Sequence, residues 1–79
     1  MSNLWYTPQE DLKNRIERDF SYHAPKDDQP QRYTKLREQA KALALLIAEA
    51  TPPSREQSLA LMHLENAIFY ANASIARNE

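Results

Sequence analysis

Apolar residues recur every three or four positions along most of the chain, a spacing that places them on one face of an α-helix. The first such stretch covers about residues 8–20 and repeats at intervals of four. The second, about residues 30–50, and the third, about residues 54–77, alternate intervals of four and three, as in the seam of a helical hairpin. The apolar positions are, in order, Leu12, Ile16 and Phe20; Leu36, Ala40, Leu43, Ile47 and Ala50; and Leu61, Leu64, Ile68, Ala71 and Ile75.

Helix-start and helix-stop signals separate the three stretches. Thr7-Pro8-Gln9-Glu10 has the pattern of a capping box with proline in the first turn, and Ser54 followed by Gln57 has a similar pattern. Pro30 suits the first turn of the second helix, and Thr51-Pro52-Pro53 ends it. Because that connection is short, the third helix is expected to return antiparallel to the second. The sequence therefore predicts an all-α fold, an antiparallel helical hairpin plus a shorter N-terminal helix.

The predicted helices carry more apolar surface than a small hairpin can bury. A chain of 79 residues forms a single domain, predicted over residues 1–79 with residues 1–6 loosely ordered. Several apolar residues lie off the predicted seam: Leu45, Leu46, Leu59, Met62, Phe69 and Tyr70. Monomers rarely expose such a patch, which predicts a homo-oligomer. The alternative is that the N-terminal helix and Trp5 cover these residues.

Composition narrows the classes of function. Ten Lys and Arg residues against eleven Asp and Glu residues give a formal net charge of −1, which argues against nonspecific DNA or RNA binding but not against a small anionic ligand. With no cysteine and two histidines, disulfides and a metal site are not expected, and no cofactor is implied. The absence of glycine excludes a glycine-rich phosphate loop. The sequence shows neither a signal peptide nor a membrane span, which favours a cytoplasmic location.

The loop after the first helix places two rings and a cation within five residues, Tyr22-His23-Ala24-Pro25-Lys26. Aromatic rings stack on nucleobases, and a lysine supplies a mobile charge for phosphate. Pro25 restricts the loop and so lowers the ordering cost of binding. The alternative is that Tyr22 plugs the end of the bundle while His23 and Lys26 are ordinary surface residues. Spacing alone favours that alternative.

Three arginines are further candidates for binding an anion. Arg37 lies one turn beyond Tyr33 and can reach the same face, or it pairs with Glu38 on an exposed face. Arg55 stands in the first turn of the third helix, where free backbone amides favour anions, but a solvated arginine beside a simple cap is equally consistent. Arg77 ends that helix, where a cation suits the helix dipole. In a symmetric assembly, the Arg77 side chains of several subunits could also converge on one anion.

No catalytic arrangement is apparent in the sequence. It has no cysteine nucleophile and no paired histidines, and its serines have no evident base. A nuclease-like metal cluster built from Asp27, Asp28 and Glu56 is conceivable but disfavoured. The chain is therefore not expected to be an enzyme.

The loop and the third helix together resemble two families of phage proteins that sequester signalling nucleotides. These are the second anti-CBASS family and the first anti-Thoeris family, which share a hairpin domain, and the short chain favours the anti-CBASS branch. Ala24 and Met62 depart from the pattern, since proline and threonine are common there, and both bear on ligand preference. The resemblance covers about residues 16–79, and its matching segments are Tyr22–Lys26, Leu36–Arg37, Ser54–Leu61, Leu64–Glu65 and Ala73–Asn78.

This resemblance implies an immune-evasion protein that binds cyclic oligonucleotide second messengers of bacterial CBASS defence without cleaving them, in the cytoplasm of the infected host cell. It implies a homo-oligomer, commonly a hexamer, with cyclic dinucleotides such as cyclic GMP–AMP in pockets between subunits. Cyclic trinucleotides can occupy pockets nearer the symmetry axis. By the resemblance, Tyr22 would stack on a base, Lys26 and Arg37 would contact phosphate or base edges, and Arg77 would serve the axial pocket. His23 carries over less directly.

The sequence leaves three other functions open. The protein could be a helical protein–protein interaction adaptor, a small phosphodiesterase, or a sponge, that is, a protein that sequesters a signal without cleaving it, for a cyclic ADP-ribose-type Thoeris signal. An adaptor would use the apolar surface but would not need Tyr22, Lys26 and Arg37 to converge. A phosphodiesterase would destroy the nucleotide, whereas a sponge returns it intact after denaturation.

Overall fold

A computed structural model describes residues 6–79, and within that range every regular element is a helix. Helix α1 spans Glu10–Asp19, α2 spans Gln29–Ala50 and α3 spans Arg55–Asn78. Helices α2 and α3 pack side by side and run antiparallel, since the start of α2 meets the end of α3. The predicted all-α fold is confirmed for these residues. The expectation of loose order in residues 1–6 falls, except for Tyr6, outside the described residues.

The turn between α2 and α3 is closed by local hydrogen bonds. Ser54 is the N-cap of α3, as predicted, and its hydroxyl accepts a hydrogen bond from the Gln57 N–H at 3.1 Å. The Gln57 side chain does not reach back to complete a capping box. Instead its Nε2 donates to the carbonyl and hydroxyl oxygens of Thr51, both at 3.1 Å. Gln57 therefore ties the start of α3 to the end of α2.

Helix α1 starts later than the sequence predicts. The prediction of a capping box at Thr7–Glu10 is wrong, because the N-cap of α1 is Gln9. The Gln9 backbone is extended, and its side chain makes no capping hydrogen bond. Glu10 and Asp11 in the first turn still suit the helix dipole. Since α1 buries no residue, no tertiary packing stabilises the two further residues with which the box would have started the helix.

The described residues include no buried apolar side chain. The predicted seam of α3 is half-buried throughout, whereas on α2 Leu43 and Ala50 are exposed. The Cα positions extend over 53 × 35 × 16 Å, with a radius of gyration of 17.9 Å. A compact domain of this length would have a radius of gyration of about 12 Å. Residues 6–79 thus form a slab one helix thick, with a seam between α2 and α3 but no buried apolar core.

Helix α1 does not cover the surplus apolar surface. Its own residues Leu12 and Ile16 are exposed, and Phe20 just beyond its end is 86% exposed. On the hairpin, large apolar side chains also stay open to solvent: Leu45, Leu46, Met62, Phe69 and Tyr70. The alternative in which α1 buries these residues is therefore wrong, and Trp5 lies outside the described range. None of the helices within residues 6–79 combines the length and apolarity that a membrane span requires.

Candidate functional site

The loop of residues 20–28 begins with two hydrogen bonds to the last turn of α1. The Ser21 hydroxyl donates to the carbonyl oxygen of Glu17 at 2.5 Å, and His23 Nε2 lies 2.7 Å from the carbonyl oxygen of Arg18. Because a carbonyl oxygen only accepts, this second contact requires a proton on His23 Nε2. The His23 ring is thereby fixed, and Tyr22 beside it is left 86% exposed.

The loop ends in a turn that leads directly into α2. The Gln29 N–H donates to the carbonyl oxygen of Lys26 at 2.9 Å. Between them, Asp27 has a φ of 52°, in the left-handed region that aspartate tolerates better than most residues with a side chain. In a chain without glycine, Asp27 supplies the conformation that turns the backbone into the helix.

A cleft of about 580 Å³ opens between this loop and the faces of α2 and α3. Its volume is within the range of small-molecule sites. Four rings and two guanidinium groups contribute to its lining: Tyr22, His23, Tyr33, Phe69, Arg37 and Arg77. The cleft therefore combines surfaces for stacking with positive charge, the two features that a nucleotide requires.

The two arginines of the cleft differ in how they are held. Arg77 Nε lies 3.6 Å from Asp19 Oδ1, and the same oxygen accepts a hydrogen bond from Arg18 Nε at 2.9 Å. The hydrogen bond from Arg18, with smaller contributions from nearby arginines, lowers the pKa of Asp19. Arg37 makes one long hydrogen bond within residues 6–79, from Nη2 to Thr34 Oγ1 at 3.4 Å. Arg37 therefore keeps most of its donors available to a ligand.

Two of the predicted site residues lie elsewhere. Lys26 does not line the cleft, and its Nζ donates to the backbone carbonyl oxygen of Glu79 at 2.7 Å. Arg55 opens α3 at the opposite end of the molecule from Arg77. At 1.5 Å per helical residue the two arginines are about 33 Å apart along the axis. A single chain thus brings together Tyr22, His23, Arg37 and Arg77, but neither Lys26 nor Arg55.

The sequence did not single out Phe69 and Asn72 as residues of this site. With Ala73 and Ala76 they follow the helical spacing of one face, and the two alanines leave the space that the cleft occupies. Asn72 Oδ1 is buried and has no hydrogen-bond partner among the described residues. An aromatic residue, a polar residue and two small ones at this spacing are the signal that would have identified the face.

A second groove, of about 570 Å³, follows the seam between α2 and α3 toward the turn. Arg37 lines both cavities, while Lys41, Met62 and Glu65 line only the groove. Met62, at which the sequence departs from the sponge pattern, therefore lies away from the Tyr22 cleft. Among residues 6–79, no three His, Cys, Asp or Glu side chains are grouped so that they could hold a metal ion.

Comparison with known proteins identifies one family. The family model described as the Acb2/Tad1 hairpin domain matches residues 12–76, which include most of α1, the loop and nearly all of the hairpin. No curated protein and no solved structure gives a significant match.

Proposed function

The chain belongs to the Acb2/Tad1 hairpin-domain family, and we propose that it is an immune-evasion protein that sequesters cyclic oligonucleotide messengers of bacterial CBASS defence without cleaving them. A sponge-type anti-defence role is consistent with this family. The observation that carries the proposal is the cleft where Tyr22, Arg37 and Arg77 converge. The proposed place of action is the cytoplasm of an infected bacterial cell.

The chemistry of the cleft suits a cyclic dinucleotide such as cyclic GMP–AMP. Its two purines need stacking surfaces, and stacking on an aromatic ring contributes roughly 1–3 kcal/mol per base. Tyr22 offers an exposed ring for this purpose. Its two phosphates need donors, and the planar fork of Arg37 can bind a phosphate through two parallel hydrogen bonds.

The exposed apolar surface supports a homo-oligomer, and we propose a hexamer. A slab 16 Å thick with no buried apolar side chain in residues 6–79 would gain a core by packing against other copies. Two copies related by a two-fold axis would also bring two Tyr22–Arg37 sets to one nearly symmetric ligand. Cyclic trinucleotides would bind at an axial position where Arg77 side chains of several copies meet, although within one chain Arg77 lines the same cleft as Tyr22.

Recovery of intact ligand tests the mechanism directly. Purified protein is incubated with cyclic GMP–AMP, freed of unbound nucleotide, denatured, and the supernatant analysed by mass spectrometry. We expect stoichiometric, uncleaved nucleotide in the presence of EDTA as well as magnesium. Linear products would indicate a phosphodiesterase. Retention of a cyclic ADP-ribose isomer, with no retention of any cyclic di- or trinucleotide, would assign the protein to a Thoeris-type signal.

Light scattering tests the assembly. A hexamer gives a mass six times that of the 9.2 kDa chain at micromolar concentration. A monomer at that concentration would contradict the inter-subunit site and turn attention to an adaptor that covers its apolar surface with another protein.

A further inference from the structure

Two segments that are distant in sequence, residues 26–32 and the end of α3, meet at Glu79. Arg32 Nη1 donates to Glu79 Oε2 at 2.8 Å, and Arg32 Nη2 donates to Oε1. Gln29 Nε2 donates to the same Oε1 at 3.1 Å. Lys26 Nζ donates to the Glu79 backbone carbonyl oxygen at 2.7 Å. We call Lys26, Gln29, Arg32 and Glu79 the clamp.

Gln29 is the centre of the clamp. It is 3% exposed and is the one residue classed as buried within residues 6–79. Its Oε1 accepts a hydrogen bond from the Lys26 backbone N–H at 3.1 Å, while its Nε2 donates to Glu79. Both ends of the amide are therefore paired, one with the loop and one with the end of α3. Leaving either end of a buried amide without a hydrogen-bond partner destabilises the folded state. These contacts therefore favour one arrangement of the two segments.

Each clamp residue is a near neighbour in sequence of a residue that lines the cleft. Lys26 follows His23 by three positions, and Gln29 and Arg32 precede Tyr33 by four positions and one position. Glu79 follows Arg77 by two positions. The loop itself buries no side chain, so apolar packing does not fix its position. Its position therefore depends on polar contacts, of which the clamp supplies those that reach α3.

We propose that the clamp positions the cleft: Gln29 and Arg32 tie the start of α2 to Glu79, and Lys26 joins the loop of residues 20–28 to Gln29 and Glu79, so that the loop is held against the hairpin. The loop then meets the ligand already ordered, which lowers the entropy cost of binding. The identity of the ligand rests on the proposed function, whereas the contacts of the clamp are present in the ligand-free structure. The hydrogen bonds from Arg32 and then Gln29 lower the pKa of Glu79 to about 2, so the carboxylate is ionised at neutral pH.

Amide hydrogen exchange in the ligand-free protein tests the clamp. In Gln29→Ala and Glu79→Gln, the backbone amides of residues 26 and 29, which are hydrogen-bonded where the loop meets α2, should exchange about three- to tenfold faster, while helix content by circular dichroism stays constant. Glu49→Gln is the matched control, since it removes an exposed carboxylate at the far end of α2. Parent-like exchange in both clamp variants would overturn the proposal.

A charge swap separates a direct contact from general loosening. Arg32→Glu and Glu79→Arg should each speed up exchange in the loop, because each places like charges opposite one another. Because Asp28 Oδ1 also accepts a hydrogen bond from Arg32 Nε at 3.2 Å, the swap is made in an Asp28→Asn background. There the double variant restores an ion pair in reverse orientation and should recover at least half of the lost protection. Additive damage in the double variant would contradict a direct Arg32–Glu79 contact as the source of loop order.

Affinity for cyclic GMP–AMP, measured by calorimetry, links the clamp to binding. Gln29→Ala and Glu79→Gln should weaken binding about three- to tenfold, and Glu49→Gln should not change it. Faster exchange with unchanged affinity would overturn the positioning role. If the parent protein binds no cyclic nucleotide, the proposed function fails, and the exchange experiment still decides whether the clamp orders the loop.

Discussion

The two connections of this chain are built in opposite ways. The turn of residues 51–54 is closed by groups within nine residues of one another: the Ser54 cap and the contacts of Gln57 with Thr51 and Ala48. The loop of residues 20–28 is also held locally at its start, by the carbonyl oxygens of Glu17 and Arg18. Its other end, however, depends on contacts with Glu79, which lies about fifty positions later.

The tight turn is therefore expected to matter for stability, and the loop for ligand binding. The tight turn sets the antiparallel direction of the hairpin and uses only neighbouring residues, so it needs no partner segment. The loop carries Tyr22 and His23, and the cleft forms only where the loop, α2 and α3 come together. The candidate binding chemistry thus lies at the end of the molecule whose geometry depends on distant parts of the sequence.

The largest expected effect is a loss of ligand affinity that differs between Arg37, which lines the cleft, and Arg55, which lies at the tight turn. Arg37→Ala should weaken cyclic GMP–AMP binding about ten- to a hundredfold, since a hydrogen bond to a charged group contributes about 1.5–3 kcal/mol. Arg55→Ala removes the same side chain at the tight turn and should change affinity by less than about twofold. Calorimetry at fixed ionic strength measures both. Equal losses in the two variants would place the ligand near both ends.

Tyr22 should matter through the face of its ring. Tyr22→Ala should weaken binding about tenfold or more, because one stacked base contributes roughly 1–3 kcal/mol. Tyr22→Phe keeps the ring and should stay within about threefold of the parent. Light scattering of both variants shows whether assembly is unchanged. If Tyr22→Phe is as weak as Tyr22→Ala, the hydroxyl rather than the ring makes the contact.

The tight turn should affect stability alone. Ser54→Ala removes the N-cap of α3 and should lower the free energy of unfolding by about 1 kcal/mol. Urea unfolding, followed by circular dichroism at matched protein concentration, measures this loss. Affinity for cyclic GMP–AMP should not change, because the cap lies far from the cleft. A large loss of affinity in Ser54→Ala would mean that the two ends are coupled.

The smallest expected effect is the loss of stability in acid when the Glu79 carboxylate takes up a proton, which does not occur at neutral pH. Because Arg32 and Gln29 lower the pKa of Glu79 from 4.5 to about 2, its contribution to stability is complete above pH 4.5 and is lost as pH falls through about 2. Carbon NMR of the Glu79 carboxyl group should show a midpoint near pH 2. In Arg32→Ala the midpoint should move toward 4.5. An unchanged midpoint in that variant would place the cause of the shift elsewhere.

The chemistry of the side chains in the sequence predicts four of the eleven residues that line the cleft, but not how they meet. The structure brings these four, Tyr22, His23, Arg37 and Arg77, together. Lys26 was chosen on the same grounds, yet its ammonium group binds Glu79 instead. Nothing near Lys26 in sequence indicates that contact, because it depends on how far α3 extends alongside the start of α2.

What the sequence by itself determined is local. The intervals between apolar residues, the prolines and the Ser54 cap act within one or two helical turns, so three helices and one antiparallel turn could be predicted from neighbouring residues. Only the tertiary structure decided that α1 leaves the apolar surface uncovered, that Gln29 is buried and that Glu79 closes the clamp. These features depend on which distant segments come within hydrogen-bonding range. That is set by the register of the hairpin and the path of the loop, which no short-range pattern encodes.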